Sequence, residues 1–188
     1  MQHILVALVE DKPGVLTRVA SMFRRRALNI KSLTVGHTET PGISRMTILV
    51  DYGKDEVRKV TANLYKMVNV IEVHDLTKTR YVSRNLAMIK VATNAQSRSE
   101  IMQLVDIYRG RIVDTSTNSL IVELTGSEEK IDSFVDVLRP YGIIEMVRTD
   151  IVAMTRGDNP LHPDNSNGRK KEKEFQTSEY KMMSVAAD

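Results

Sequence analysis

Apolar and polar positions along this chain follow two alternating periods in a fixed order. Residues 3–9 form a run of branched apolar side chains and predict a buried strand. After Asp11-Lys12-Pro13-Gly14, the apolar positions Val15, Leu16, Val19, Ala20, Met22 and Phe23 recur at helical spacing, with Arg18 and Arg24 to Arg26 turned outward. Strands are expected at 28–35 and 43–50, joined by a hairpin through Pro41-Gly42. A second helix is expected over 54–67 on Val57, Val60, Leu64 and Met67, then a strand over 68–76. The order β-α-β-β-α-β closes into a four-stranded sheet with both helices on one face.

After a polar connector at 78–83 the order returns. Strands are expected at 86–92, 111–115, 120–125 and 143–154, and helices at 99–108 and 128–138. The chain is therefore expected to be α+β, with two ferredoxin-like βαββαβ domains over 1–78 and 84–157. Residues 158–188 differ. They hold Pro160, Pro163, several Asn and Ser, and the run Arg169 to Glu174, and predict a flexible C-terminal tail. Within it Met182, Met183 and Val185 are the residues that would have to dock if the tail bound anywhere.

Composition narrows the function. Of 188 residues 41% are hydrophobic and 27% charged, ordinary for a globular protein, and a net charge of +3 gives no reason to expect a nucleic-acid or membrane partner. No apolar run approaches the roughly 18 residues of a membrane span. The opening run meets Glu10 and Asp11 too soon for a signal peptide, so a cytoplasmic location is expected. Cysteine is absent, which excludes disulfides and thiolate chemistry. His3, His37, His74 and His162 are far apart and match no metal-ligand spacing. The nine glycines form no phosphate-binding motif, no Ser sits in a nucleophile elbow, and Glu128-Glu129 suits a helix dipole better than acid–base work. Arg24-Arg25-Arg26 reads as a solvated helix end. The chain carries no positive sign of being an enzyme, and no cofactor is expected on it.

The loop Asp11-Lys12-Pro13-Gly14-Val15-Leu16 carries the sharpest chemistry. Pro13 near the first helical turn lacks an N–H that would be orphaned there, and Gly14 lets another molecule approach the backbone. The N–H groups of Gly14, Val15 and Leu16, at the positive end of a helix, are then expected to receive a carboxylate. An amino acid also brings an ammonium, for which Asp11 or Asn29, at the start of the second strand, offers an oxygen, with the Ile30 backbone alongside. A blander alternative stands beside this: Asp11 caps the helix and Asn29 turns the chain. The open edges of a four-stranded sheet suggest how the halves meet, since two sheets joined side by side bring the loop of one chain to the Asn29–Ile30 region of its neighbour.

These residues resemble a known family. Ile4-Leu5-Val6-Ala7-Leu8-Val9-Glu10-Asp11-Lys12-Pro13-Gly14-Val15-Leu16 is similar to the opening of an ACT domain, an amino-acid-sensing module. Asn29-Ile30-Lys31-Ser32-Leu33-Thr34-Val35-Gly36 and Thr40-Pro41-Gly42-Ile43-Ser44-Arg45-Met46-Thr47-Ile48 resemble the small, regulatory subunits of acetolactate synthase. Lys66 to Val70, Tyr108 to Asp114 and Arg148 to Met154 continue the likeness, which spans residues 3–157. The resemblance implies an ACT domain over 1–78 for effector binding and homodimerisation, and a regulatory domain over 84–157 that strengthens the effector response. It implies a non-catalytic partner of the large subunit, which holds thiamine diphosphate, magnesium and FAD. The small subunit raises that enzyme's activity and confers feedback inhibition by valine or another branched-chain amino acid. The family's effector pocket maps onto Asp11, Lys12, Pro13, Gly14, Val15, Leu16, Asn29 and Ile30. The chain departs from it at Asp11, where many members carry Asn; a carboxylate there binds an ammonium more strongly. The alternative, a free-standing ACT-type sensor of another enzyme or a transcription factor, is disfavoured by residues 40–48.

Overall fold

The structure, a computed structural model, describes residues 1–157. The expected tail at 158–188, with Met182, Met183 and Val185, lies outside the described residues. The described chain divides into two units, one built on Met1–Tyr81 with residues 155–157, the other Val82–Met154. The fold is the α+β pair of βαββαβ units that the periodicity predicts.

In the first unit the order is β1 (Gln2–Glu10), α1 (Val15–Arg25), β2 (Ser32–His37), β3 (Ile43–Asp51), α2 (Lys54–Tyr65) and β4 (Val70–Asp75). The antiparallel sheet runs β2-β3-β1-β4, leaving β2 and β4 as edges. Leu5, Ala7 and Val9 of β1 and Met46, Ile48 and Val50 of β3 alternate onto one face. Val15, Val19, Met22 and Phe23 of α1 and Val57, Val60 and Leu64 of α2 pack on them at intervals of three or four, closing one core. Glu56 reaches back to accept from the Gly53 N–H at 3.1 Å and starts α2.

The end of α1 decides where the chain goes next. Ala27 sits in the left-handed region at φ +53°, the place a glycine usually takes. The Ala27 N–H donates to Arg24 O at 3.0 Å and the Leu28 N–H to Phe23 O at 3.1 Å, satisfying the last carbonyls. The second strand was expected from residue 28, but β2 begins at Ser32. The reason is the Tyr52 phenol, which accepts from the Asn29 N–H and donates to the Asn29 carbonyl at 2.8 Å, so these groups are taken by a side chain and not by a ladder. Strand pairing starts only after the Lys31 N–H donates to Leu49 O at 2.9 Å.

The second unit repeats the plan with β5 (Tyr81–Ala92), α3 (Ser97–Ile107), β6 (Arg111–Thr115), β7 (Ser119–Gly126), α4 (Glu128–Leu138), β8 (Ile143–Arg148) and β9 (Val152–Thr155). Its sheet runs β6-β7-β5-β8, and β9 also pairs with β5. Ala87, Ile89, Val91, Leu120, Val122 and Leu124 meet Ile101, Val105, Ile131, Phe134 and Leu138 in a second core, where the Tyr108 and Phe134 rings lie 4.9 Å apart between centroids. The single last strand expected at 143–154 is instead two. Thr149 grips Leu86 twice, its N–H donating to Leu86 O at 2.8 Å and its Oγ1 accepting from the Leu86 N–H at 3.0 Å, and the chain breaks there before resuming as β9. Because β9 supplies a further partner to β5, the later part of the expected polar connector at 78–83 is extended strand from Tyr81 onward.

Candidate functional site

The Asp11–Leu16 loop leaves β1 at one end of the first sheet and is pinned from three sides. The Asp11 N–H donates to Gly42 O at 2.7 Å and the Lys12 N–H to Glu10 O at 3.0 Å. Beneath them Glu10 Oε2 accepts from Asn69 Nδ2 at 2.6 Å, and Asn69 Oδ1 accepts from Arg18 at 2.6 Å. Lys12 Nζ turns back onto the same Glu10 carboxylate at 3.2 Å. Lys12 therefore shapes the loop. Pro13 lies beside the first helical turn, one residue ahead of the helix cap, and its fixed φ stiffens the approach.

Gly14 is the cap itself. Its φ of +82° and ψ of −3° are left-handed, and no side chain caps the helix. Asp11 is thus not the capping residue, which removes the bland account of it. A Cβ built on Gly14 would meet nothing within 4 Å, so the backbone lies open to an incoming molecule. Of the three N–H groups expected to be open, that of Val15 donates to Lys12 O at 3.3 Å, closing the turn. The N–H groups of Gly14 and Leu16 have no backbone acceptor among the described residues. Val15 sends its side chain into the core at 3% exposure, while Leu16 stands 46% exposed beside the amides.

Electrostatics favour an anion here. The first turn of α1 carries no acidic residue, whereas α2, α3 and α4 each have at least one. The positive end of the α1 dipole is left without a counter-charge from its own turn. Asp11, half exposed, places its carboxylate 3.7 Å from His37 Nδ1, too far for a hydrogen bond. It remains available to a cation. His37, at the end of β2, is a neighbour that sequence reasoning did not single out.

Asn29 and Ile30 do not join this loop within one chain. Ser32 pairs Leu49, which pairs Ile4; His37 pairs Ser44, which pairs Val9. The entrance of β2 and the Asp11 loop are therefore at opposite ends of the sheet, about 20 Å apart at 3.3 Å per residue. Asn29 lies in the α1–β2 connection and not at a strand start. With its backbone held by Tyr52, its side-chain amide makes no hydrogen bond among the described residues and faces solvent. Tyr52 escaped sequence reasoning because its partner is 23 residues away and no period announces it.

The chain can now be set beside known proteins. Residues 5–72 match the family model of the AHAS small subunit-like ACT domain, and residues 84–157 that of the small subunit of acetolactate synthase. The acetolactate synthase small subunit of Mycolicibacterium smegmatis is 46% identical over 155 residues, covering 82% of this chain and 91% of that one. The acetolactate synthase small subunit of Bacillus subtilis is 40% identical over 158 residues, covering 84% of this chain and 92% of that one. The crystal structure of the small subunit from Thermotoga maritima superposes with a TM-score of 0.79 at 39% identity, covering 85% of this chain and 99% of that one. On this likeness in sequence and in fold, the chain belongs to the family of acetolactate synthase small subunits.

Proposed function

We propose that this chain is the regulatory subunit of acetolactate synthase, raising the activity of the catalytic large subunit and conferring feedback inhibition by valine in branched-chain amino-acid biosynthesis. In this reading the catalytic groups, thiamine diphosphate, magnesium and FAD, belong to the large subunit, and both subunits work in the cytoplasm. The observation that carries it is the open, uncapped entrance of α1, with the Gly14 and Leu16 amides and the Asp11 carboxylate on one loop. A carboxylate goes to the amides and the helix end, an ammonium to Asp11, and an aliphatic side chain to exposed Leu16.

A homodimer completes the pocket. Two copies pairing through their β2 edges across a two-fold axis run antiparallel, so the entrance of one β2 comes opposite the exit of the other. Asn29 and Ile30 of one protomer then stand beside His37 and the Asp11 loop of its partner, spanning the distance that separates them within one chain. A ligand held by both protomers binds one packing of the dimer better than another, and that difference is what an effector needs to shift an equilibrium. The test mixes the purified chain with its large subunit and follows acetolactate formation with and without valine. Activation by the chain and inhibition by valine are expected; no activation and no valine response with a cognate partner would refute the reading.

A further inference from the structure

The first unit has a second concave surface, on the side of its sheet away from β2. The exposed flank of α2 lies over the edge strand β4, and the groove between them has a volume of about 420 Å³. His3, 2% exposed, forms part of its floor. Its Nδ1 lies 3.2 Å from Asp75 Oδ2, and its Nε2 is buried without a partner among the described residues. Asp75 is fully engaged, since its Oδ1 accepts from the Thr77 N–H at 3.0 Å. The ring lies close beneath the groove, where it reports on what enters.

Three cations line the rim, against the single Asp75 carboxylate below. Lys54 and Arg58 stand one turn apart on α2, a like-charged i,i+4 pair that destabilises a helix. Lys78, from the turn after β4, converges on the same groove. None of the three makes a hydrogen bond or ion pair among the described residues, even though Asp55 precedes Arg58 by three positions. A solvated helix face would scatter such charges or pair them. Here they gather from two elements around an opening walled by Val57 and the Tyr65 ring, whose hydroxyl is tied to Val73 O at 2.9 Å.

We propose that this groove binds a phosphate-bearing small molecule, with the phosphate among Lys54, Arg58 and Lys78 and the organic part on the exposed Tyr65 ring. Three cations match a dianion better than a single carboxylate, and the Arg58 fork suits two phosphate oxygens at once. The volume is in the range of small-molecule sites. The groove shares no residue with the Asp11 loop and does not depend on the role proposed for it.

The test titrates the full chain with phenyl phosphate and with inorganic phosphate, at 0.15 M salt, following the four histidine rings by NMR and the heat by calorimetry. Phenyl phosphate is expected to bind saturably, to move the His3 ring signals, and to bind more tightly than inorganic phosphate. The double variant Arg58→Gln, Lys78→Gln changes only exposed side chains; it should keep its melting temperature and bind phenyl phosphate at least about tenfold more weakly. Valine titration of the same variant should match the parent, which keeps this result separate from the effector site. No saturable movement of His3, movement confined to other histidines, equal affinity for the two phosphates, or an unchanged double variant would each overturn the proposal.

Discussion

The Tyr52 hydroxyl closes on the backbone of Asn29 from both sides, accepting from its N–H and donating to its carbonyl at 2.8 Å. One phenol thus does for Asn29 what a strand partner does for its neighbours, and leaves the Asn29 side chain free to face outward. Tyr52→Phe removes both bonds and little else. Weaker valine binding by about 1–2 kcal/mol is expected, with activation of the large subunit retained. Calorimetry with valine, beside an assay of activation, checks it.

Asn29→Ala tests the side chain itself. Because the amide has no partner within the described chain, its loss should leave thermal stability unchanged while weakening valine binding by about 1–2 kcal/mol. A fall in melting temperature with unchanged binding would mean that Asn29 serves only the fold.

Gly14→Asp should abolish feedback while leaving activation largely intact. Its φ of +82° is tolerated by Asp better than by most residues, at a stability cost of about 1 kcal/mol. The space beside Gly14 is open, so the new carboxylate points into the place reserved for the ligand's own. Valine inhibition curves of the reconstituted enzyme give the answer.

Ala27 makes a prediction about stability alone. Its left-handed φ of +53° strains an L residue by about 1–2 kcal/mol, whereas a glycine gives back part of that relief through greater freedom when unfolded. Ala27→Gly should therefore stabilise the chain by about 0.5 kcal/mol, and Ala27→Val should destabilise it by more than about 1 kcal/mol. Urea unfolding of the three proteins checks the order.

In the second unit, Phe134 is fully buried and its ring lies against that of Tyr108. Phe134→Ala should cost about 3–5 kcal/mol, read as a lower unfolding midpoint.

What the sequence reveals and what it hides divide along the range of the interactions. The helices and most strands follow from periods of 3.6 and 2 that each segment carries in itself, and the α4 bounds at Glu128–Leu138 are those expected. The Asp11–Leu16 loop is legible for the same reason, since Pro13 and Gly14 act on their own backbone. The misplaced boundaries are those set by distant partners. Asn29 leaves the strand for Tyr52, and Thr149 breaks the last strand by gripping Leu86, 63 residues away. Val15 shows a subtler limit: its N–H closes the turn onto Lys12, which only the folded loop decides.

The central claim is that one effector pocket takes its loop from one protomer and Asn29 from the other. Mixing Gly14→Asp chains with Asn29→Lys chains tests it most directly, since the second substitution puts an ammonium where the effector's own would lie. Each variant alone should bind no valine. In a mixed dimer, one pocket then collects both lesions and the other collects neither, so mixing should restore valine binding. If the pocket lay within a single chain, every pocket in the mixture would stay broken, and a mixture as silent as its components would contradict the account.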